Sequence, residues 1–348
     1  MISLKNRLTL LCLFTYVFMH GQDVHFSQYL SSPLLINPAS CSAFTGDYRI
    51  AANYKSQWKS ISNSYKTIAV CVDGKILKTG RDKGNYIGIG LSVFSDKAGK
   101  SNLSTNQANL NLSYNLKTSR KSSFSAGVQV GFFQKSIQIA DLKWDNQFDG
   151  NNYDASLPTG ESPSYQKILR LDIGAGLLWR YYDKINQFKL ELGGSVSHIN
   201  KPQTSFYTNK QIVAGMKYIG HINAQIKLGD KPIFIVPQII YVNQSPYSEL
   251  LVGSAIRYRL GEDTRSDASL NTFSLISSAV ALGVYYRAKD AVVIVASLEY
   301  RKSIAFGISY DLNTSKLNVA SKYRGGMELS LSFKGFSKRT NMKHVALD

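Results

Sequence analysis

The chain has 348 residues, with 41 basic and 23 acidic side chains, giving a net charge of +18. A hydrophobic fraction of 44% with 11% aromatics excludes an intrinsically disordered chain. The 21 Tyr and 26 Gly against 8 Pro favour strands, and the charge suits an anionic surface or an acidic partner.

The first element in chain order reads as an export leader, residues 1–21. Lys5 and Arg7 form a positive n-region, and the twelve residues Leu8 to Met19 form an apolar stretch too short to cross a bilayer. Gly21 is a suitable small residue before a cut that leaves Gln22 first. An uncleaved anchor or a buried helix is the competing reading. Cys12 follows Leu11 inside the apolar stretch, a poor setting for lipid attachment.

The next stretch, "FSQYLSSPLLINPAS" from Phe26 to Ser40, follows neither a strand nor a helix period. Asn37 before Pro38 suits a helix N-cap with Pro at the first helical position, or a tight turn. Phe26, Tyr29, Leu34 and Leu35 supply anchors that a free linker lacks. Residues 22–46 are therefore expected to form an ordered N-terminal periplasmic or plug segment.

From residue 47 the pattern changes to strict alternation. Tyr48, Ile50, Ala52 and Tyr54 alternate with Arg49, Asn53 and Lys55, and Leu110, Leu112, Tyr114 and Leu116 alternate with Asn109, Asn111, Ser113 and Asn115. A period of two places each set on one face of a strand. About fourteen such segments are expected: 47–58, 64–73, 85–95, 103–117, 123–134, 166–182, 186–200, 213–228, 232–243, 249–259, 277–288, 291–300, 304–312 and 325–334. Many reach the roughly nine to eleven residues that a tilted membrane strand needs. Apolar faces begin or end on aromatics such as Tyr48, Trp58, Trp179, Tyr181, Tyr300, Tyr310 and Phe333, as in interfacial girdles. The reading is an all-β outer-membrane barrel of about fourteen antiparallel strands over 47–334, with a tail at 335–348. A secreted β-sandwich is the alternative.

An even strand count puts both termini in the periplasm. The longest connection, 135–165, is then extracellular, and 260–276 becomes an unusually long periplasmic turn.

Motifs for chemistry are weak. Cys41 and Cys71 remain after the leader, with no spacing that argues for a disulfide or a metal site. His198 near Ser195 or Ser197 raises a barrel hydrolase, but no Gly-x-Ser-x-Gly elbow accompanies it, and a hydrogen-bonding lumenal His is preferred. "GIGLS" at Gly88–Ser92 reads as a strand, and the Asp and Asn of 141–154 match no calcium loop. The patches "KYRGG" and "SKRTNMK" read as rim charges rather than nucleic-acid sites. No catalytic, cofactor-binding or metal-binding residue is assigned, and no cofactor is expected.

Several stretches together resemble the PorP/SprF family of type IX secretion and gliding proteins of Bacteroidetes. They are Gln22, Asp23, Phe26, Ser27, Gln28 and Tyr29; Asn37, Pro38 and Ala39; Gln57 and Trp58; Gly194, Ser195 or Ser197, His198 and Pro202; Arg287 and Asp290; and Ser309, Tyr310, Asp311 and Glu328. The tail, Lys334 to Asp348, departs from the basic, Cys-containing end of many members. The resemblance implies a non-enzymatic component of that machine, assisting export or surface attachment of large adhesins. It implies periplasmic secretion components and an adhesin's C-terminal sorting domain as partners, besides outer-membrane lipid. Phe26, Gln28, Tyr29, Asn37 and Pro38 are the candidate partner-binding residues. A passive transporter for a hydrophobic or small polar solute is the second reading, and a lipid hydrolase the third.

Overall fold

The computed structural model describes residues 23, 25–57, 65–79, 84–99, 103–138, 142–160, 166–208, 212–260, 278–315 and 321–336. The strands are β1 (Tyr48–Gln57), β2 (Tyr65–Thr79), β3 (Asn85–Ala98), β4 (Leu103–Lys117), β5 (Ser122–Ser136), β6 (Lys167–Asp183) and β7 (Phe188–Ser197). They continue as β8 (Lys217–Lys227), β9 (Ile233–Gln244), β10 (Tyr247–Arg259), β11 (Ala279–Arg287), β12 (Ala291–Tyr300), β13 (Ile304–Asn313) and β14 (Arg324–Gly335). Each pairs antiparallel with its neighbours in sequence, and β1 pairs with β14 to close the barrel. Fourteen strands were expected and fourteen form. β2 runs to Thr79, past the expected end at 73, because a register shift between Lys75 and Leu77 interrupts the alternation that marks a strand.

The faces sort as the pattern dictates. On β4, Leu110, Leu112, Tyr114 and Leu116 are exposed, while Asn109, Asn111, Ser113 and Asn115 are buried. The same inversion runs around the barrel, so the apolar face is outside and the polar face enclosed. That excludes a sandwich, which would bury the apolar faces, and fits a wall solvated by lipid. Aromatics lie at both levels of the outer face. Tyr48 meets Phe333 with ring centroids 6.0 Å apart and Trp179 stacks on Tyr181 at 6.2 Å, while Tyr218 and Tyr286 lie toward the opposite end. No helix among the described residues is long and apolar enough to cross a membrane.

Tyr48 and Gly335 lie together at one end, here called the terminal end. The connections after β4, β6, β8 and β12 at that end are short, whereas the longest, 137–166, leaves from the opposite, distal end. Short turns face the periplasm in such barrels, which makes the terminal end periplasmic. The long turn expected there falls largely outside the described residues, as do the leader and the end of the tail.

Candidate functional site

The inward face leaves a lumen lined by Asn, Ser, Gln, Gly and a few charges, and residues 25–46 run through it. At the terminal end the Ser42 amide donates to Asp73 Oδ2 at 2.6 Å, and Arg49 holds the same carboxylate through Nε at 2.9 Å and Nη2 at 2.8 Å. Arg49 also caps the Ser40 carbonyl at 3.2 Å and covers the Phe44 ring at 4.5 Å. Ser113 Oγ donates to the Cys41 carbonyl at 2.7 Å.

Further up, Pro38–Ser40 forms a turn of 3-10 helix. Asn37 caps it, as its place before Pro38 predicts: Oδ1 accepts from the Ala39 amide at 2.9 Å. Asn37 Nδ2 donates to the carbonyls of Leu177 at 2.9 Å and Gly194 at 3.3 Å, which ties the cap to β6 and β7. The backbone comes so near the wall that a Cβ at 127 would overlap Pro38 and Ala39, and one at 176 would overlap Asn37 Oδ1. Gly at these two inward positions makes the seat for the turn. Leu34 packs in an apolar cluster with Cys41, Ala51 and Cys71, and Tyr29 in another with Ile219, Ile240, Leu251, Tyr285 and Val293. The Tyr29 hydroxyl donates to Asn223 Oδ1 at 2.6 Å.

Buried ions fix the upper part. Glu328 accepts the backbone amides of Ser27 at 2.7 Å and Gln28 at 3.0 Å, and pairs with Lys55 Nζ at 3.1 Å. Ser27 Oγ donates to Asp311 at 2.9 Å and accepts from Arg287, which also pairs with Asp311 at 3.0 Å and with Asp290 at 2.9 Å. The Gln28 amide donates to Ser309 Oγ at 3.0 Å and accepts from Ser330 Oγ at 2.9 Å. Charges this deep are tolerated only when paired and hydrogen-bonded, and here the segment's own backbone supplies part of that satisfaction.

At the distal end Asp23 meets His198 Nε2 at 2.7 Å, Lys217 at 3.6 Å and, through its amide, Gln244 at 3.1 Å. His198 Nδ1 meets Asp172 at 2.8 Å, so both ring nitrogens face carboxylates and both must donate. Burial alone lowers the basicity of His198, but Asp23 and Asp172 overcome it and raise its pKa to about 9. Burial alone would raise the Asp23 carboxyl, but Lys217 and His198 hold it far below the usual carboxylate range. Burial drives His25 well below the normal imidazole value, helped by the charges of Lys55, Arg287 and Lys217. Burial, with Asp73, pushes the Cys41 thiol up to about 12.

All five candidate partner-binding residues, Phe26, Gln28, Tyr29, Asn37 and Pro38, are therefore buried inside the barrel and contact its wall. Four of them join different strands: Gln28 to β13 and β14, Tyr29 to β8, Asn37 to β6 and β7, and Pro38 to β5. The segment reaches the distal mouth, where Asp23 lies beside the ends of β7, β8 and β9. His198 is an ion-pair partner, and Ser195 Oγ is engaged by the Ile36 carbonyl at 2.5 Å. Cys41 and Cys71 are free and buried. No group of His, Cys, Asp and Glu among the described residues is arranged to hold a metal. Lys55, Arg49, Asp73 and Asp172 were missed by sequence reading. Their signal was a charge on an inward face otherwise made of neutral polar residues.

Two cavities beside the segment are small. One, lined by Asp23, Leu35, Gln107, Gln129, His198 and Lys217 among others, has about 30 Å³, and a second beside His25 and Glu249 about 20 Å³. Each holds roughly a water or two.

The sequence matches the family described as type IX secretion system membrane protein PorP/SprF over residues 18–333. The chain belongs to that family. The residues that carried the resemblance are largely those that tie the PorP/SprF segment to its wall: Asp23 with His198, Ser27 with Arg287, Asp311 and Glu328, and Gln28 with Ser309. No curated protein matches the chain. Among solved structures, the CymD monoaromatic hydrocarbon channel is similar at 11% identity and a TM-score of 0.49, covering 88% of this chain and 93% of its own. A Pseudomonas aeruginosa FadL homologue is similar at 10% identity and a TM-score of 0.47, covering 85% and 91%. The Pseudomonas putida toluene transporter TodX follows at 9% identity and a TM-score of 0.44, covering 88% and 94%. The PorP/SprF chain is an outer-membrane barrel of the type IX secretion system.

Proposed function

We propose that this barrel is a non-enzymatic docking component that assists export or surface attachment of a large adhesin, with its lumen closed by its own N-terminal segment. Support comes from the family together with one observation: residues 25–46 run through the lumen, pinned through the buried Glu328–Lys55 and Arg287–Asp311 pairs, and two cavities beside them measure about 30 and 20 Å³. A wall filled in this way offers its mouths and loops to partners rather than a solute path. On this reading residues 1–21 direct export and are then removed, so that Asp23 at the distal mouth is the second residue of the mature chain. Phe26, Gln28, Tyr29, Asn37 and Pro38 then act on docking by setting the segment's position, and a partner meets them directly only on a segment drawn out of the lumen. Periplasmic secretion components and the adhesin's sorting domain are the partners this reading names.

Deleting the gene should abolish surface display of a large adhesin and leave uptake of small solutes unchanged. Tyr29→Ala with Asn37→Ala should reduce display in a barrel that still assembles. The second reading, a passive transporter, requires the segment to withdraw. Liposome flux through the purified protein, at a rate matching open channels, would favour it.

A further inference from the structure

Among the described residues, the terminal-end mouth of the barrel carries an arc of cations that outnumbers the carboxylates facing it. Register fixes their direction. Phe234 is fully buried in the lumen, and it faces both Lys227 on β8 and Arg257 on β10. Arg259 faces buried Ala279, which in turn faces Glu299. Lys334 on β14 faces inward Arg49, and Lys189 on β7 faces Tyr182, with its Nζ 5.3 Å from that ring. Lys189, Lys227, Arg257, Arg259 and Lys334 thus converge on one opening from four strands.

Little negative charge answers them. Glu299 is taken by Arg257 at 2.8 Å. Arg259 finds a neutral acceptor, Gln187 Oε1, at 3.2 Å, and shares the Phe234 ring with Arg257. Of the other described carboxylates at this end, Asp73 is held by Arg49 at 2.8 Å and Asp183 by Lys121 at 2.8 Å, Glu191 accepts from the neutral Asn223 at 3.1 Å, Asp230 lies in the turn between β8 and β9, and Asp47 precedes β1.

Cations held together in a mouth with a low-dielectric wall concentrate anions there. The arc from β7 to β14 is wider than one phosphate or carboxylate, whereas an extended chain at about 3.3 Å per residue reaches across it. By register these side chains lie on the inward face rather than the outer, lipid-facing one.

We propose that this mouth receives an acidic polypeptide segment of a periplasmic partner. The proposal rests on the docking function above and names the chemistry of the segment that docks.

The test uses the full chain in phosphatidylcholine nanodiscs and a fluorescent decaglutamate peptide, with decaglutamine as control, followed by anisotropy at about 0.05 M and 0.5 M salt. Decaglutamate should bind at low salt and be released at high salt. The variant Lys189→Gln/Lys227→Gln/Arg257→Gln should bind about tenfold or more weakly, since each lost charge contact contributes a fraction of that factor. Lys189→Gln/Lys227→Gln breaks no ion pair with a carboxylate described here and should weaken binding about threefold, with folding checked by the gel shift of heat-modifiable barrels. Lys66→Gln/Lys97→Gln at the distal rim should leave binding unchanged. Absence of low-salt binding, an equal loss in the distal variant, or competition by phosphatidylglycerol placed in the nanodisc would overturn the proposal. So would binding that appears only after Glu262, Asp263 and Asp267 are neutralised, because the occupant would then be this chain's own stretch between β10 and β11. Binding of decaglutamate together with an intact adhesin display in the deletion strain would leave the acidic-segment site standing and remove the secretion reading.

Discussion

Glu328→Gln probes how the segment is held. The substitution keeps the side chain's shape and removes its charge. Lys55 then retains only the His25 carbonyl at 3.1 Å as a described partner, and of the two amides that Glu328 accepts, from Ser27 and Gln28, one must face an NH2 group. Removing one partner of a buried pair costs about 3–5 kcal/mol, and an orphaned buried donor about 1–3 kcal/mol. The two overlap within one network, so about 3–5 kcal/mol is assigned to the docked segment. That corresponds to local opening increased between about a hundredfold and a few thousandfold. Hydrogen exchange read by mass spectrometry should show it in peptides covering 26–44, with the strands opposite, such as β4, unchanged. Equal exchange in Glu328→Gln and the native chain would refute the view that this ion network anchors the segment. Faster exchange throughout the barrel would refute the view that the segment is a separable unit.

Three further outcomes follow from the same contacts. Gly127→Val intrudes on Pro38 and Ala39, so it should unseat the turn at a cost of about 1–3 kcal/mol while the barrel still shows its heat-modifiable gel shift. Cys41, buried with its thiol pKa pushed up to about 12, should react slowly with a water-soluble maleimide in a Cys71→Ala background, and much faster when Glu328→Gln is added. The pH profile should have an optimum. The folded pKa of His198 is raised to about 9, so its contribution is complete below the ordinary value of 6.5 and disappears as pH rises through about 9. The folded pKa of His25 is depressed, so its neutral form favours the docked state above 6.5 and protonation opposes docking as pH falls below that value. Protection of the segment, corrected for the intrinsic exchange rate, should therefore be greatest near pH 6.5 and decline toward pH 9, and His198→Gln should remove the alkaline decline alone.

The strands were legible because each outer position must meet lipid and each inner one must not, so alternation survives in the sequence even where a strand is long. β2 escaped at Lys75–Leu77, where a bulge breaks the period. The turn at Asn37–Pro38 was legible for a local reason, since cap and first helical residue are adjacent. What the segment touches was not. Ser27 lies 301 residues from Glu328 and 284 from Asp311 in the chain, and only closure of β14 on β1 brings them together. On the sequence Asp23 and His198 were two fragments of one resemblance, and nothing in their spacing showed an ion pair. The cationic mouth was not legible because facing inward is a matter of register, which composition does not carry.

The central claim is that this closed PorP/SprF barrel works by holding other proteins. Its most direct test is mild detergent extraction of the tagged chain from its native outer membrane, with mass spectrometry of what stays bound, measured against a barrel of similar abundance. Enrichment of a large adhesin or of periplasmic secretion components is the result predicted here. Recovery of the barrel alone, under a detergent that those components survive, would contradict it.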